Sequence, residues 1–177
     1  HERMVVTLGW AKAGASAGAA LVFPTKELAQ TVASCGSTMI FSGPMQPAQL
    51  GASIASARIF LSPELTTLQQ DVEARIALFD GEAAREGLNL RAHGTSPIRF
   101  VETGSEEGAI NLAAQLQRSG YFVNAAVCPA VPRGKAGIRM MLTRQQTFED
   151  VRGLVREIGN RTRNRTSRSR EMPATGA

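Results

Sequence analysis

The chain has 177 residues, 43% of them hydrophobic, which suits one domain with a core or a smaller domain with an appendage. No apolar run approaches the ~20 residues of a membrane-spanning helix, so no span is expected. Cys35 and Cys128 form no CxxC or Cys/His cluster, and His1 and His93 have no partner at metal-ligand spacing, so neither disulfides nor a metal site is expected. The N-terminus does not resemble an export signal, and we expect a cytoplasmic protein.

The net charge of +5 is concentrated near the C-terminus. Residues 161–177 carry five arginines and one glutamate, whereas residues 1–160 carry 15 basic and 14 acidic side chains. The arginine-rich segment has no apolar side chain to bury, so it predicts a disordered basic tail over residues 161–177. A solvated tail is the simpler interpretation, and an arm that contacts RNA or another anionic surface is the alternative. Nucleic-acid binding by the remainder of the chain is not expected.

The first half of the chain alternates apolar runs with helical patterns. Residues 3–8 and 17–23 predict two strands joined by a Gly/Ala/Ser-rich loop. Helices are predicted over residues 26–34 and 46–61. Ser-Pro-Glu at residues 62–64 caps a longer helix to about residue 86, whose apolar side chains recur at spacings of three and four.

The pattern changes near residues 89–95, which predicts a subdomain boundary there. The following elements are a strand at 97–101, a helix at 106–118, strands at 121–128 and 137–142, and a helix at 148–158. This β-α-β-β-α order predicts a small sheet with helices on one face. The expected organisation is residues 1–88 as part of a larger domain with a long connecting helix, 89–160 as an α+β subdomain, and 161–177 as the tail.

One lysine lies in the small-residue loop between the first two predicted strands. Residues 10–19 read Trp-Ala-Lys-Ala-Gly-Ala-Ser-Ala-Gly-Ala, so the neighbours of Lys12 are small enough to let a flat cofactor ring approach. Enclosure disfavours the charged form of an amine and makes it a nucleophile suited to a Schiff base. Most lysines in such loops are solvent-exposed without a chemical role, so this feature alone leaves both interpretations open.

Further segments match the elements of one enzyme group. Residues 12–19 resemble the segment that begins at the cofactor lysine of the α-oxoamine synthases, and residues 41–47, Phe-Ser-Gly-Pro-Met-Gln-Pro, resemble that group's Phe-Ser/Thr turn. Residues 96–98 resemble the start of its small-domain strand. Residues 129–143 resemble its Pro-x-Val-Pro-x-Gly…Arg…Leu-Thr element, and residues 147–150 resemble its Thr-x-Glu-Asp helix start. Together and in order, these segments cover residues 5–158.

The resemblance implies the fold of a fold-type I enzyme dependent on pyridoxal 5'-phosphate (PLP). The chain would be the C-terminal part of such an α/β transferase, with the end of the large-domain sheet followed by a small α+β subdomain. The group condenses an amino acid with an acyl-CoA, using PLP as the electron sink. The same substrates, the same cofactor and a homodimer are therefore expected of this protein.

The resemblance also assigns roles to three residues. Lys12 would carry the cofactor and shuttle a proton at the substrate Cα, Ser42 would reach the cofactor phosphate of the neighbouring subunit, and Arg139 would pair with the amino-acid carboxylate. A turn cap is the alternative for Ser42, and a structural ion pair is the alternative for Arg139. The sequence departs from the group at Ala19, where a glycine is usual, and at Gln146, where many members have histidine.

Two other functions stay open on the sequence alone. An aminotransferase of the same overall fold would share the cofactor lysine. A truncated remnant would keep the fold without activity. The segments that in this group stack on the cofactor ring and contact its nitrogen are not found within residues 1–177, so the isolated chain is expected to be catalytically silent.

Overall fold

The computed structural model describes residues 2–40, 42–91 and 94–171. For residues 164–171 it describes the backbone and not the side chains. Phe41 of the predicted turn, His93 and the last six residues of the predicted tail therefore lie outside the described residues. The chain separates into two compact units, residues 1–66 and 67–177.

The first unit consists of a hairpin and two helices. Strands β1 (Val6–Gly9) and β2 (Ala19–Val22) pair antiparallel, with Val6 opposite Val22 and Gly9 opposite Ala19. Helix α1 (Lys26–Cys35) begins at Thr25, whose side chain accepts a hydrogen bond from the Leu28 amide. Helix α2 (Pro47–Phe60) has proline in its first turn, where the missing amide hydrogen costs nothing.

Apolar side chains in the first unit remain largely exposed. The residues of β1 are all exposed, three of the four in β2 are exposed, and α1 has no buried residue. The buried residue of α2 is the polar Ser53. This unit is therefore held together by turns and hydrogen bonds more than by an apolar core.

The second unit is an α+β layer of three strands and three helices. Helix α3 (Glu64–Arg85) begins just before the division between the units, and it is followed by β3 (Ile98–Gly104), α4 (Glu106–Arg118), β4 (Asn124–Ala126), β5 (Ala136–Met141) and α5 (Phe148–Glu171). The strands pair antiparallel in the order β3-β5-β4. Helix α4 begins at Ser105, whose hydroxyl accepts from the Gly108 amide, and its buried side packs on all three strands.

The core of the second unit draws on all three of its helices and on strands β3 and β5. Phe79, Leu116, Ile138, Val155 and Ile158 are completely shielded from solvent. Residues of β5 alternate, since Ile138 and Met140 face this core whereas Arg139 and Met141 are exposed. The predicted small sheet with its helices is therefore present.

The division between the units lies earlier than the boundary predicted at residues 89–95. Ile76, Phe79 and Ala83 place the buried face of α3 in the core of the second unit, so this helix belongs to the small subdomain. The chain after α3 is also paired with β3: Glu102 N donates to the Asn89 carbonyl at 3.0 Å and Arg91 N to the Phe100 carbonyl at 3.1 Å. Because α3 packs on segments that are distant in the sequence, the boundary between the units precedes its buried face instead of following the helix.

The predicted tail differs from the structure as far as Glu171, because α5 continues through the arginine-rich segment. Arg161 pairs with Glu157 and also donates to Ser119 Oγ at 2.8 Å. Arg163 pairs with Glu86 and donates to Asn160 Oδ1 at 2.7 Å. Disorder was expected because the segment lacks apolar residues. In the structure, these ion pairs support the helix beyond residue 160.

Candidate active site

Lys12 lies at the exposed end of the β1–β2 hairpin, in a loop that we call the lysine loop (residues 10–18). The loop is closed by three backbone hydrogen bonds, from Trp10 N to Gly18 O, from Ser16 N to Trp10 O and from Ala15 N to Lys12 O, each 3.0 Å. The Lys12 side chain is exposed and has no ion pair within the described parts of the chain. The amine is thus available, and it differs from the enclosed amine expected from the sequence.

Two glycines of the lysine loop are required by close contacts. A Cβ atom at Gly14 would lie 2.5 Å from Cε3 of the Trp10 ring and 2.9 Å from the Trp10 carbonyl oxygen. Gly18 has a φ of +86°, and a Cβ there would lie 2.6 Å from Cε of Met45. The glycines therefore allow the loop to fold back on Trp10 and to contact Met45.

Serines of α2 hold the lysine loop from the other side. Ser56 Oγ donates to the Gly14 carbonyl at 2.6 Å, and Ser53 Oγ donates to Ser16 Oγ at 3.0 Å. Ser16 Oγ in turn donates to the Gln49 carbonyl at 2.7 Å. Sequence reasoning missed these residues, although two serines three positions apart in an alanine-rich helix were a visible signal of one polar face.

Ser42 is exposed in the segment that leads to α2. Its hydroxyl donates to the Met39 carbonyl at 3.0 Å, as the turn-cap interpretation requires. The exposed oxygen can still accept a further hydrogen bond. Met45 connects this segment to the lysine loop through its contact with Gly18. No hydrogen bond joins the Lys12 and Ser42 side chains among the residues that the structure describes.

Arg139 lies in the second unit, at the centre of β5. It is opposite Phe100 of β3 and Asn124 of β4, and its side chain is exposed on the sheet face away from the core. No ion pair involves Arg139 in the portion of the chain described by the structure, so the alternative of a structural ion pair is not observed there. Its guanidinium is available for a ligand.

The sheet face around Arg139 is shaped by an aromatic ring over a glycine. A Cβ at Gly137 would lie 2.6 Å from Cε1 of Phe100 and would also collide with the Val101 carbonyl oxygen. Only glycine lets the Phe100 ring lie against β5 at this point. Phe100 is 8% exposed, so the ring forms a fixed wall near the strand position of Arg139.

A second strand arginine has the structural role that was considered for Arg139. Arg99 of β3 is 0% exposed and binds both carboxylate oxygens of Asp80, at 2.6 and 2.9 Å. Its remaining donors bind the carbonyls of Gly94, Ser96 and Ile98 at 2.6 to 3.0 Å. All five guanidinium N–H groups are therefore satisfied, as burial of a charge requires. Sequence reasoning missed this residue because its partner is 19 positions away on α3.

Gln146, one of the two departures from the family pattern, stabilises the loop before α5. Its side chain accepts from the Thr143 amide at 2.8 Å and donates to the Met141 carbonyl at 3.1 Å. Its backbone carbonyl accepts from Arg75 Nε at 2.7 Å, and the Arg75 guanidinium lies 4.9 Å from the centre of the Phe148 ring. In this chain the position has a structural use.

The described residues provide neither a membrane-spanning helix nor a cluster of metal ligands. None of their helices is both long and apolar enough to cross a membrane. Nor do three or more of their His, Cys, Asp or Glu side chains gather where they could hold a metal ion.

Comparison with solved structures identifies the class of fold. An 8-amino-7-oxononanoate synthase from Francisella tularensis superposes on 92% of this chain and 47% of its own, with a TM-score of 0.78 and 19% identity. A serine palmitoyltransferase from S. paucimobilis with bound PLP-myriocin aldimine covers 92% of this chain and 40% of its own, with a TM-score of 0.78 and 18% identity. The chain therefore has the fold of the C-terminal part of a fold-type I PLP-dependent transferase, as predicted.

Sequence comparison narrows this class. The chain is 35% identical over 161 residues to the 8-amino-7-oxononanoate synthase of Stenotrophomonas maltophilia (strain R551-3). The alignment covers 88% of this chain and 37% of that protein. No family model matches. The chain spans less than half the length of the curated relatives that it matches. The resemblance to the C-terminal half of the α-oxoamine synthase group is confirmed.

Proposed function

We propose that this chain supplies the cofactor lysine and the carboxylate-binding arginine of a PLP-dependent α-oxoamine synthase, whose remaining part is supplied by further polypeptide. The reaction would be condensation of an amino acid with an acyl-CoA, in which the acyl group leaves the thioester sulfur, so that CoA and CO₂ are both released. The observation that carries the proposal is the exposed Lys12 on a hydrogen-bonded loop, at the position that the family resemblance assigns to the cofactor lysine.

The residues of the lysine loop fit a flat aldehyde cofactor in one respect. Lys12 has alanines on both sides and no ion pair in the described residues, so a ring could approach its amine without steric hindrance. When bound, PLP would supply an electron sink for a carbanion at the amino-acid Cα. Lys12 would hold the cofactor and would move a proton at that Cα.

Arg139 and Ser42 would bind the charged groups of substrate and cofactor. The planar guanidinium of Arg139 suits the two oxygens of an α-carboxylate, and its exposure without an ion pair in the described part of the chain leaves both N–H edges usable. Ser42 Oγ would hydrogen-bond the cofactor phosphate of a neighbouring subunit, which requires a homodimer. The turn bond to Met39 leaves its lone pairs available for this purpose.

The test combines the full chain with a separately made N-terminal portion of the Stenotrophomonas relative and adds PLP. We expect a visible absorbance band that borohydride removes, with the reduced label on Lys12. The chain contains only three lysines, so peptide mapping can compare Lys12 with Lys26 and Lys135 in one sample. Lys12→Ala should abolish the band and Lys26→Ala should not. A band that survives Lys12→Ala contradicts the proposal.

Two substrate assays separate the condensation from the alternative aminotransferase. Release of CO₂ that depends on acyl-CoA supports the proposed reaction, whereas amino transfer that depends on a 2-oxo acid supports the alternative. Arg139→Lys keeps the charge but loses the planar fork, so it should raise the amino-acid KM about 10- to 100-fold. An unchanged KM would remove Arg139 from the site.

The isolated chain should show neither reaction. Loss of a single preorganised electrostatic group lowers rates by about 10²–10³, and the ring-stacking and ring-nitrogen groups would both come from the other polypeptide. Activity of the isolated chain would show that the chemistry lies elsewhere.

A further inference from the structure

We infer that Ser53 and Ser56 are positioning residues for Lys12, because they fix the lysine loop to helix α2 by hydroxyl hydrogen bonds. This inference rests on the proposed function, which gives Lys12 its role. It assigns a task to two side chains that the family resemblance left without one.

The burial of Ser53 shows that its hydroxyl is used inside the first unit. Ser53 is 6% exposed, and a buried hydroxyl without a partner would cost free energy. It donates to Ser16 Oγ at 3.0 Å, and Ser16 Oγ in turn donates a hydrogen bond to the Gln49 carbonyl at 2.7 Å. The chain of donors therefore runs from α2 through the loop and back to α2.

Ser56 anchors the loop at a second point. It is three residues after Ser53, so both hydroxyls lie on the same face of α2, and it donates to the Gly14 carbonyl at 2.6 Å. Gly14 and Ser16 follow Lys12 by two and four residues, and the Lys12 carbonyl itself accepts from Ala15 N. The Lys12 backbone is thus tied to a fixed segment, while its side chain stays free.

Hydrogen bonds are needed here because the loop has few side chains that could pack. Apart from Trp10 and Lys12 it consists of alanine, glycine and serine, which give little apolar area to hold a conformation. A catalytic group misplaced by about 1 Å can lose about 10²-fold in rate. The two serines replace the missing packing and hold in place the backbone from which the Lys12 amine extends.

The first experiment measures amide hydrogen exchange of the full chain at millisecond times. In Ser53→Ala/Ser56→Ala, exchange at Ala15 and Ser16 should rise about 30-fold, since about 1 kcal/mol is lost for each of the two hydrogen bonds. The amides of β5 should not change. Ser34→Ala removes an exposed serine from α1 and is the matched control, with no expected effect on the loop. Unchanged exchange at Ala15 and Ser16 overturns the inference.

The second experiment uses the chain combined with the N-terminal portion. If the serines position Lys12, the double variant should lower kcat about 10²-fold with KM within about twofold, and Ser56→Thr, which keeps the hydroxyl, should recover most of kcat. Faster exchange with an unchanged kcat would show a loop anchor without a positioning role. If wild-type chain traps no PLP at Lys12, the proposed function fails, whatever the exchange experiment gives.

Discussion

The two units of this chain are stabilised by different kinds of interaction. In the second unit, fully buried side chains from three helices and two strands form a continuous core, and its buried charge at Arg99 is completely paired. In the first unit the strands expose Val6, Leu8 and Leu21, and the buried side chain of α2 is a serine. Strands that expose apolar residues on both faces are typical of a sheet covered on both sides, so we expect the first unit to need further polypeptide.

The largest expected effect is on the local stability of the two units. Amides in β5 and α4 should exchange at least about 10³-fold more slowly than amides in β1 and β2, because opening the second unit exposes a whole core. Hydrogen exchange of the full chain measures this ratio. Adding the N-terminal portion of the relative should slow exchange in β1 and β2 and leave β5 unchanged. Equal protection of both units in the isolated chain would remove the distinction.

Truncating one phenylalanine in each unit sharpens the same comparison. Phe79→Ala on α3 removes a side chain that is 0% exposed and should lower the free energy of unfolding by about 3–5 kcal/mol. Phe60→Ala on α2, where the side chain is 43% exposed, should change it by less than about 0.5 kcal/mol. Urea denaturation followed by circular dichroism gives both values. A comparable loss for Phe60→Ala would reveal a core in the first unit.

Two strand arginines of the second unit separate a structural from a ligand-binding role. Arg99→Met removes five hydrogen bonds and leaves Asp80 unpaired, so it should destabilise the unit by about 3 kcal/mol. Arg139→Met lies at an exposed strand position and should stay within about 0.5 kcal/mol of wild type. The same denaturation measurement applies. If Arg139→Met proves the more damaging, its proposed availability for a substrate is wrong.

The smallest expected effect concerns the extension of α5. The hydrogen bond from Arg161, and next that from Ser119, lower the pKa of Glu157 below its usual value. Its stabilising contribution is therefore fully present above the pKa of the unfolded state and is lost as the pH falls through the lower pKa of the folded state.

Exchange of the α5 amides after residue 157, followed from pH 6 to pH 3 and corrected for intrinsic rates, should reveal this loss of protection. Glu157→Gln should weaken the pH dependence, while Glu73→Gln on the exposed side of α3 should leave it unchanged. A wild-type protection that is flat with pH would contradict the ion-pair explanation of the extended helix.

The sequence was informative where local signals determine an element. Helix α4 was predicted at residues 106–118 and is observed there. Its signals are local, because the serine cap directly precedes the helix and the early acids and apolar spacing lie within it. The β1–β2 hairpin and its loop were also predicted, with strand ends shifted by one to three residues. The roles of Lys12, Ser42 and Arg139 stay predictions.

What the sequence did not reveal depends on contacts between distant segments. The assignment of α3 to the second unit rests on its packing with strands and helices far along the chain, and the extension of α5 rests on pairs such as Arg163 with Glu86. In the sequence alone, nothing distinguishes Arg99 and Ser53 from the other arginines and serines. Their importance appears only when Asp80 and Ser16 are brought beside them.

The ring of Phe100 over Gly137 also makes the Arg139 face observable in solution. Ring currents should displace the NMR signal of the Gly137 α-proton that points toward the ring, and this proton is two residues from the guanidinium-bearing residue on the same side of the sheet. A carboxylate bound at Arg139 would disturb that environment and move the signal. The glycine that the fold requires for steric reasons is therefore a native reporter for titrating amino acids against the second unit without any label near the site.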